Sequence, residues 1–329
     1  MYKLKYFVIL KYYNYSNNLK DYENFSSNPN AIELIEKNIE KRGIMPNFKL
    51  LSLNPNAIQI LEKHQDKINW RMLSSNPNAI HLLEKNQDKL DWEILSSNPN
   101  AVRLLEKNPD KIDWYYLSGN PNAIHILEKN LEKINWSQLS GNQNAISIIE
   151  KNLDKIDWSE LSGNPNAISI LEKNQDNIDW YYLSGNPNAI QILEKNKDLI
   201  EWCYLSSNPN AIELLKERIE SNIFEYDNNI SWNCLCENPG AIEILEQNQN
   251  KIHWYILSSN PNAIELIKNN MDKINYGILA MNPNIFELDY KGLTRRMAEL
   301  KEEILAETLS PERILKIFNF TGGNLDGFI

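Results

Sequence analysis

Few residues in this sequence have the type and spacing that chemistry requires. Cys234 and Cys236 are one residue apart, and His81 and His125 occupy equivalent positions in two copies of a repeated motif. A zinc site needs about four ligands, and the nearest aligned histidine, His253, lies in the next copy. His81 and His125 are two copies of the motif apart, which is too far for an acid–base pair. We interpret the cysteines as ordinary thiols and the histidines as solvated side chains.

No motif of a known catalytic type occurs: there is no Gly-rich phosphate loop, HExxH, nucleophile elbow or set of kinase motifs. We therefore predict that the protein is not an enzyme and that it has no catalytic, cofactor or metal site. The formal net charge of −10 argues against nucleic acid and against an anionic membrane surface as partners. No apolar run approaches the ~20 residues of a membrane span. The odd number of cysteines, three, favours a reducing intracellular compartment.

The motif Asn-Pro-Asn-Ala-Ile recurs with small variations along almost the whole chain. Nine of the eleven intervals between its copies are 22 residues, and the other two are 26 and 30. A fixed short period of this kind predicts a solenoid, in which each repeat packs on its neighbours. We number the repeats 1 to 12 by the first Asn of each copy: Asn28, Asn54, Asn76, Asn98, Asn120, Asn142, Asn164, Asn186, Asn208, Asn238, Asn260 and Asn282.

Each repeat predicts two short helices, of about ten and six residues. In repeat 3, Asn76 is expected to cap a first helix that runs to about Lys85, and Asn86 is expected to end it in the left-handed conformation. Asp91 then caps a second helix opened by Trp92, which we count with the following motif Asn, Asn98, as part of repeat 4. We call the first the Ile helix, after the Ile of the motif, and the second the aromatic helix. The fold class is therefore an all-α helical repeat solenoid of about 12 units of 22 residues.

One aromatic residue opens every aromatic helix, six residues before each motif Asn. Nine of these residues are Trp, and Tyr22, Phe48 and Tyr276 take the place in the outer repeats. We interpret this ladder as part of the core. The position after the motif Ile varies, and it is polar and turns acidic toward the C-terminus. Its residues are Glu33, Gln59, His81, Arg103, His125, Ser147, Ser169, Gln191, Glu213, Glu243, Glu265 and Glu287.

The two positions after each aromatic residue also vary, and they are rich in Tyr with some Arg and Met. This composition is typical of protein interfaces. With helix layers ~8–10 Å apart, the repeats would present a stripe on the order of 100 Å long. We predict a protein-binding scaffold, and we leave open a structural virion or assembly component and a modular nucleic-acid reader. The candidate partner-binding residues are Tyr115, Tyr116, Tyr181, Tyr182, Tyr204, Tyr255 and Arg71.

Three segments are predicted along the chain. Residues 1–21 form an N-terminal cap segment, residues 22–290 form the solenoid, and residues 291–329 form a helical cap and tail, because exposed solenoid ends need covering. Insertions near 39–47 and 219–231 both fall between an Ile helix and the following aromatic helix. The longer insertion carries Phe224 and Tyr226, and it is either a contact loop or neutral drift.

The repeated phrase NPNAIHLLEKNQDKLDWEILSSNPNA resembles the short Asn-Pro repeats of proteins from giant nucleocytoplasmic DNA viruses. The stretch from Leu300 to Leu305, with Ser310-Pro-Glu-Arg-Ile, resembles their terminal segment, where a His-Pro usually stands in place of Ser310-Pro311. The resemblance implies a viral chain in the host cytoplasm or the virion, with a host or viral protein partner. The architecture is loosely similar to leucine-rich variant repeats. We expect a monomer.

Overall fold

The computed structural model describes residues 2–4, 23–221 and 230–288. The chain divides into two compact units, one comprising residues 6–285 and the other residues 1–5 and 286–329. The first unit contains the repeats and confirms the predicted all-α repeat solenoid, with paired short helices in almost every repeat. None of the described helices combines the length and the apolar character that crossing a bilayer requires.

The Ile helices are mostly six residues long, which is shorter than predicted. The two that precede the insertions are longer, since they continue into the inserted residues. In repeat 12 a 3-10 turn, Pro283–Ile285, replaces the helix. The Ile helices are Ile32–Arg42, Ile58–Lys63, Ile80–Lys85, Val102–Lys107, Ile124–Leu127, Ile146–Ile149, Ile168–Lys173, Ile190–Lys195, Ile212–Glu220, Ile242–Gln247 and Ile264–Lys268.

The aromatic helices are four to six residues long, and the first of them is a 3-10 helix. Their bounds are Asn24–Ser27, Phe48–Leu53, Trp70–Ser74, Trp92–Ser97, Trp114–Ser118, Trp136–Gly141, Trp158–Gly163, Trp180–Gly185, Trp202–Leu205, Trp232–Glu237, Trp254–Leu257 and Tyr276–Leu279. Short 3-10 helices form the links at Gln65–Lys67, Gln87–Lys89, Pro109–Lys111, Leu131–Lys133, Gln175–Asn177, Lys197–Leu199 and Gln249–Lys251.

The caps of the aromatic helices are confirmed. Asp91 Oδ1 accepts a hydrogen bond from the Ile94 N–H at 3.0 Å, and Asn135 does the same for Gln138. Eight residues at the position of Asp91 accept such a bond: Asn69, Asp91, Asp113, Asn135, Asp157, Asp179, Ser231 and Asn275. Asp and Asn therefore serve interchangeably as caps, because either side chain supplies the acceptor oxygen that the free N–H groups need.

Asn76 is not the N-cap expected for the Ile helix, whereas Asn86 is its C-cap as expected but in a different conformation. Asn76 lies in a turn, and its Oδ1 accepts from the Asn78 N–H, while the helix begins four residues later at Ile80. Asn86 ends that helix at φ −131°, outside the left-handed region. Among the described glycines only Gly43 has a positive φ, +64°, where it ends the longest Ile helix. The side chain of Asn76 is instead used between repeats.

A ladder of buried asparagines joins the repeats. Asn142 donates two hydrogen bonds through Nδ2 to repeat 5, to the carbonyls of Ser118 at 3.0 Å and Asn120 at 3.1 Å. Its Oδ1 accepts from the Asn144 N–H within repeat 6. The side chain thus satisfies three backbone groups, two of which belong to the neighbouring repeat. The motif asparagines therefore serve buried backbone groups between repeats.

Repeat 12 is joined to repeat 1 by the same ladder. Asn28 donates through Nδ2 to Ala280 O at 2.8 Å and Asn282 O at 2.9 Å, which are the two acceptors its position has in every other pair. Asn24 and Asn30 add bonds to Gly277 O and Pro283 O. The repeat array therefore closes into a ring. Closure after twelve repeats requires a turn of about 30° at each step.

The aromatic helices lie on the inner side of this ring. Aromatic helices of successive repeats pack directly against each other along most of the array, and no comparable contact joins successive Ile helices. In a closed ring, equivalent elements are closest together where the radius is smallest. The inner side is therefore formed by the aromatic helices, and the Ile helices are splayed toward the outer side.

The buried core lies between the two helix types. The motif Ala, the residue at position 4 of each aromatic helix (counting the aromatic residue as position 1) and the fourth residue of each Ile helix are buried, as in Ala123, Leu117 and Leu127. Position 4 is Phe25 in repeat 1 and Leu in the other repeats. The tryptophans are only half-buried, so the aromatic ladder is less internal than predicted. Cations cover several of these rings: Lys133 Nζ lies 4.7 Å from the centre of the Trp114 ring.

The second unit contains two short strands that the sequence did not predict. Strand β1, Tyr2–Leu4, pairs antiparallel with strand β2, Phe286–Leu288. In repeat 12, Ile285 and Phe286 replace the usual Ala-Ile, and both residue types favour a strand over a helix. Apart from strand β1, the predicted cap segments 1–21 and 291–329 lie outside the described residues, as do Phe224 and Tyr226.

Candidate functional site

Positions 2 and 3 of the aromatic helices carry the candidate binding residues. The N-cap fixes the start of each helix, and the buried Leu at position 4 fixes its rotation, so the preceding two side chains stay on the surface. Tyr115 is 49% exposed and Tyr255 is 61% exposed, while Tyr116 is half-buried. Tyr181, Tyr182 and Tyr204 are exposed as well. All six tyrosines therefore lie where a partner can reach them.

The structure brings three of these tyrosines together in repeats 8 and 9. The hydroxyl of Tyr181 is hydrogen-bonded to that of Tyr204 in the next repeat, and the rings of Tyr181 and Tyr182 meet edge to face at 5.4 Å. The hydrogen bond to Tyr204 is the main cause that raises the pKa of Tyr181 from 10.0 to about 12. The bond holds the two rings in one arrangement across the boundary between the repeats.

Replacing Tyr204 by Phe is expected to lower the pKa of Tyr181 from about 12 toward 10, because the main cause of the shift is removed. The pKa of Tyr181 in the folded protein lies above that of a free tyrosine. The hydrogen bond to Tyr204 therefore stabilises the folded protein below pH 10, and this stabilisation is lost as the pH rises toward 12. NMR titration of ring-labelled tyrosine measures the pKa directly. Tyr255→Phe, in a separate repeat, is the control and should leave the pKa of Tyr181 unchanged.

A second pair, Tyr115 and Tyr116, lies in repeat 5. The two rings meet edge to face at 5.2 Å, and the Tyr115 hydroxyl accepts a hydrogen bond from Gln138 Nε2 at 3.1 Å. Gln138 belongs to repeat 6, so this contact repeats the pairing of Tyr181 with Tyr204: position 2 of one repeat meets position 3 of the next. Gln138 was not among the residues predicted for the site, because the sequence does not reveal which positions meet between repeats.

The other two candidates are separate from these pairs. Tyr255 lies in repeat 11 and Arg71 in repeat 3. The Arg71 Nη1 atom is 3.0 Å from Asp91 Oδ2, the free oxygen of the cap carboxylate in repeat 4. The predicted stripe is therefore not a continuous row of tyrosines. It is two tyrosine clusters joined by small polar residues, with Arg71 and Tyr255 on either side.

Small residues complete the surface between the clusters, and the sequence prediction missed them. Four successive glycines at position 6, in repeats 5 to 8, border the position-3 side chain of the next repeat. A Cβ on Gly163, for example, would stand 3.8 Å from the Tyr182 ring. We call this surface the tyrosine arc. It comprises Tyr115, Tyr116, Gly119, Ser137, Gln138, Gly141, Ser159, Glu160, Gly163, Tyr181, Tyr182, Gly185, Cys203, Tyr204 and Ser207.

The histidines and cysteines singled out in the sequence lie apart from the tyrosine arc, except for Cys203. His81 and His125 are exposed, and each contacts a Glu of the preceding repeat, His81 Nε2 at 2.7 Å from Glu62. Cys203 is exposed, whereas Cys236 is buried in the place of the usual Ser, where burial raises its pKa. Within the described residues, no group of three or more His, Cys, Asp or Glu is arranged to hold a metal ion.

Comparison with known proteins gives no assignment. No family model, no curated protein and no solved structure matches this chain. The resemblance to giant-virus repeat proteins therefore stays a prediction.

Proposed function

We propose that this protein is a non-catalytic repeat scaffold that binds another protein through the tyrosine arc. The observation that carries the proposal is the grouping of five exposed or half-exposed tyrosines with glycine and serine on the inner side of the ring. Tyr, Ser and Gly are the residues that antibody combining sites use, because Tyr supplies large contact area at low entropic cost and small residues let a partner approach. Solenoids generally bind on their concave surface.

The arc has the dimensions of an interface. Five repeats at ~8–10 Å each give an arc of roughly 40 Å. A standard interface buries about 800 Å² on each partner, which an arc of this length can supply. The resemblance of the repeats to those of giant-virus proteins supports a host or viral protein as the partner, in the host cytoplasm.

The experiment compares the whole chain with a variant of the arc that keeps the repeat frame. Tyr115 and Tyr181 become Ser, the residue that Ser137 and Ser159 already place at position 2. Tyr116, Tyr182 and Tyr204 become Gln, which Gln138 already places at position 3. Each chain is used as bait in a pull-down from host-cell lysate, and the captured proteins are identified by mass spectrometry. A partner protein should be captured by the wild-type chain and not by the variant.

A matched control changes the outer side instead. Five polar residues after the motif Ile are replaced by Ser, which Ser147 and Ser169 already place there: Gln59, His81, Arg103, His125 and Gln191. This control should keep the partner. Loss of the partner with the control, or its retention by the arc variant, would contradict the proposal. No protein lost with the arc variant would leave a virion component as the better explanation, testable by detection in purified particles.

A further inference from the structure

The partner's chemistry is constrained by the charges around the tyrosine arc. The aromatic helices of repeats 4 to 9, taken with their caps, carry seven carboxylates and no Lys or Arg. These carboxylates belong to Asp91, Glu93, Asp113, Asp157, Glu160, Asp179 and Glu201. The whole chain has 34 basic and 44 acidic residues, so Lys and Arg are common elsewhere and are absent only from these helices and their caps. Arg71 of repeat 3 pairs with Asp91, and other cations that approach, such as Lys133, lie over the Trp ring at position 1.

The cap carboxylates present one oxygen to the helix and the other to the position-2 side chain of the preceding repeat. Asp91 Oδ2 takes the guanidinium of Arg71 at 3.0 Å, and Asp179 Oδ2 accepts from the Ser159 hydroxyl at 2.7 Å. Asp113 and Asp157 have the same cap geometry through Oδ1, and no described side chain contacts their second oxygen. At Asp113 the preceding position-2 residue is Glu93, a second carboxylate that favours a cation there.

Tyrosines belong to the same short helices as two of the cap carboxylates. Tyr115 and Tyr116 follow Asp113 after one Trp, and Tyr181 and Tyr182 follow Asp179 in the same way. In the helix that Asp157 caps, Ser159 and Glu160 take these positions. A guanidinium can pair with a carboxylate through its edge and stack on an aromatic ring through its face. Within the chain, the contact of Arg71 with Asp91 shows how a guanidinium from the neighbouring position reaches a cap carboxylate.

We propose that the tyrosine arc binds an extended, arginine-bearing segment of the partner protein, whose guanidinium groups pair with the cap carboxylates of Asp113 and Asp157. This inference rests on the proposed function and names the partner's chemistry. An extended segment of twelve residues spans roughly 40 Å, which equals the length of the five repeats of the arc. Asp113 and Asp157 are half-buried, and charge pairing of this kind governs specificity and association rate more than total affinity. The tyrosines supply most of the contact area.

Selection from a phage-displayed library of random dodecapeptides on the immobilised whole chain tests the proposal without knowledge of the natural partner. The selected peptides should be enriched about threefold or more in Arg over the unselected library. The test variant is Asp113→Asn with Asp157→Asn. Because Asn69 and Asn135 already cap helices in this chain, the variant keeps both caps and removes only charge. Its affinity for the selected peptides should fall about tenfold.

The control variant removes two carboxylates from the links, Asp66→Asn with Asp88→Asn, which changes the net charge equally and should leave binding unchanged. Raising the salt concentration should weaken the wild-type complex and not the residual binding of the test variant. Peptides without Arg enrichment, equal effects of the two variants, or no selected peptide would each overturn the proposal. Binding lost with the tyrosine variant but kept with Asp113→Asn/Asp157→Asn would overturn this inference alone and leave the proposed function standing.

Discussion

Replacing Asn142 by Ala is expected to lower the free energy of unfolding by about 2–6 kcal/mol, since it leaves the Ser118 carbonyl and the Asn144 N–H without a partner and removes one of the two hydrogen bonds to the Asn120 carbonyl. The side chain is only 4% exposed, and it serves the carbonyls of Ser118 and Asn120 and the N–H of Asn144. An unsatisfied buried polar group costs about 1–3 kcal/mol. The expected loss is a large part of the 5–15 kcal/mol that typical domains have in total.

Urea unfolding followed by circular dichroism measures this loss, and the same repeat offers its control. Asn144 also reaches the preceding repeat, donating to Pro121 O at 2.9 Å, but this bond is exposed to water. Asn144→Ala should cost below ~1 kcal/mol because water replaces the lost partner. Repeat 10 already has Gly240 at this position. Equal losses for the two variants would show that the buried ladder has no special role in stability.

Spin labels at positions 53 and 281 are expected to lie about 20 Å apart, because the residues there are two repeats apart across the junction of repeats 12 and 1. Along an open array the same positions would be separated by ten repeats, on the order of 90 Å. Leu53 and Met281 are both exposed, so labels there do not disturb the core. The three native cysteines are first replaced by Ser. Pulsed electron paramagnetic resonance measures the distance.

The triple variant Asn24→Ala, Asn28→Ala and Asn30→Ala removes the four side-chain bonds that close the ring. Since no peptide bond joins repeat 12 to repeat 1, the variant should add a population at much longer distances.

The control makes the same change at a junction that the chain crosses covalently: Gln138→Ala, Asn142→Ala and Asn144→Ala. It should destabilise the protein and leave the distance across the ring junction short. A long distance in the wild-type protein would contradict closure. An unchanged distance in the triple variant would show that apolar packing alone holds the junction.

Much of the local structure could be read from the sequence because it depends on contacts within about six residues. The capping role of Asp91 and the burial of Leu95 follow from residue type and helical spacing, and both are found. The start of the Ile helix could not be read in this way. Asn76 is a good cap by type, but its Nδ2 is held by carbonyls of the preceding repeat, Ser52 O and Asn54 O. These acceptors are 22 to 24 residues away along the chain.

The sequence predicted which tyrosines belong to the candidate site, but it did not predict the contacts between them. The sequence identifies Tyr181 and Tyr204 as variable residues on a surface, because the fixed frame around them occupies the core. It does not reveal that their hydroxyls meet, nor that Tyr115 is bonded to Gln138. These pairs join position 2 of one repeat to position 3 of the next, and that offset is a property of how two repeats pack.

The sequence by itself determined the period, the two helices of each repeat, the caps of the aromatic helices and the set of exposed tyrosines. The tertiary structure alone decided that the array closes. The turn of each repeat relative to the next is small and depends on side-chain packing between them, and it accumulates over twelve steps. A few degrees more or less at each step would give an open spiral. The hydrogen bonds from Asn28 to Ala280 and Asn282 show that the turns between repeats sum to a full circle. In this ring the aromatic helices and their tyrosines lie on the inner side.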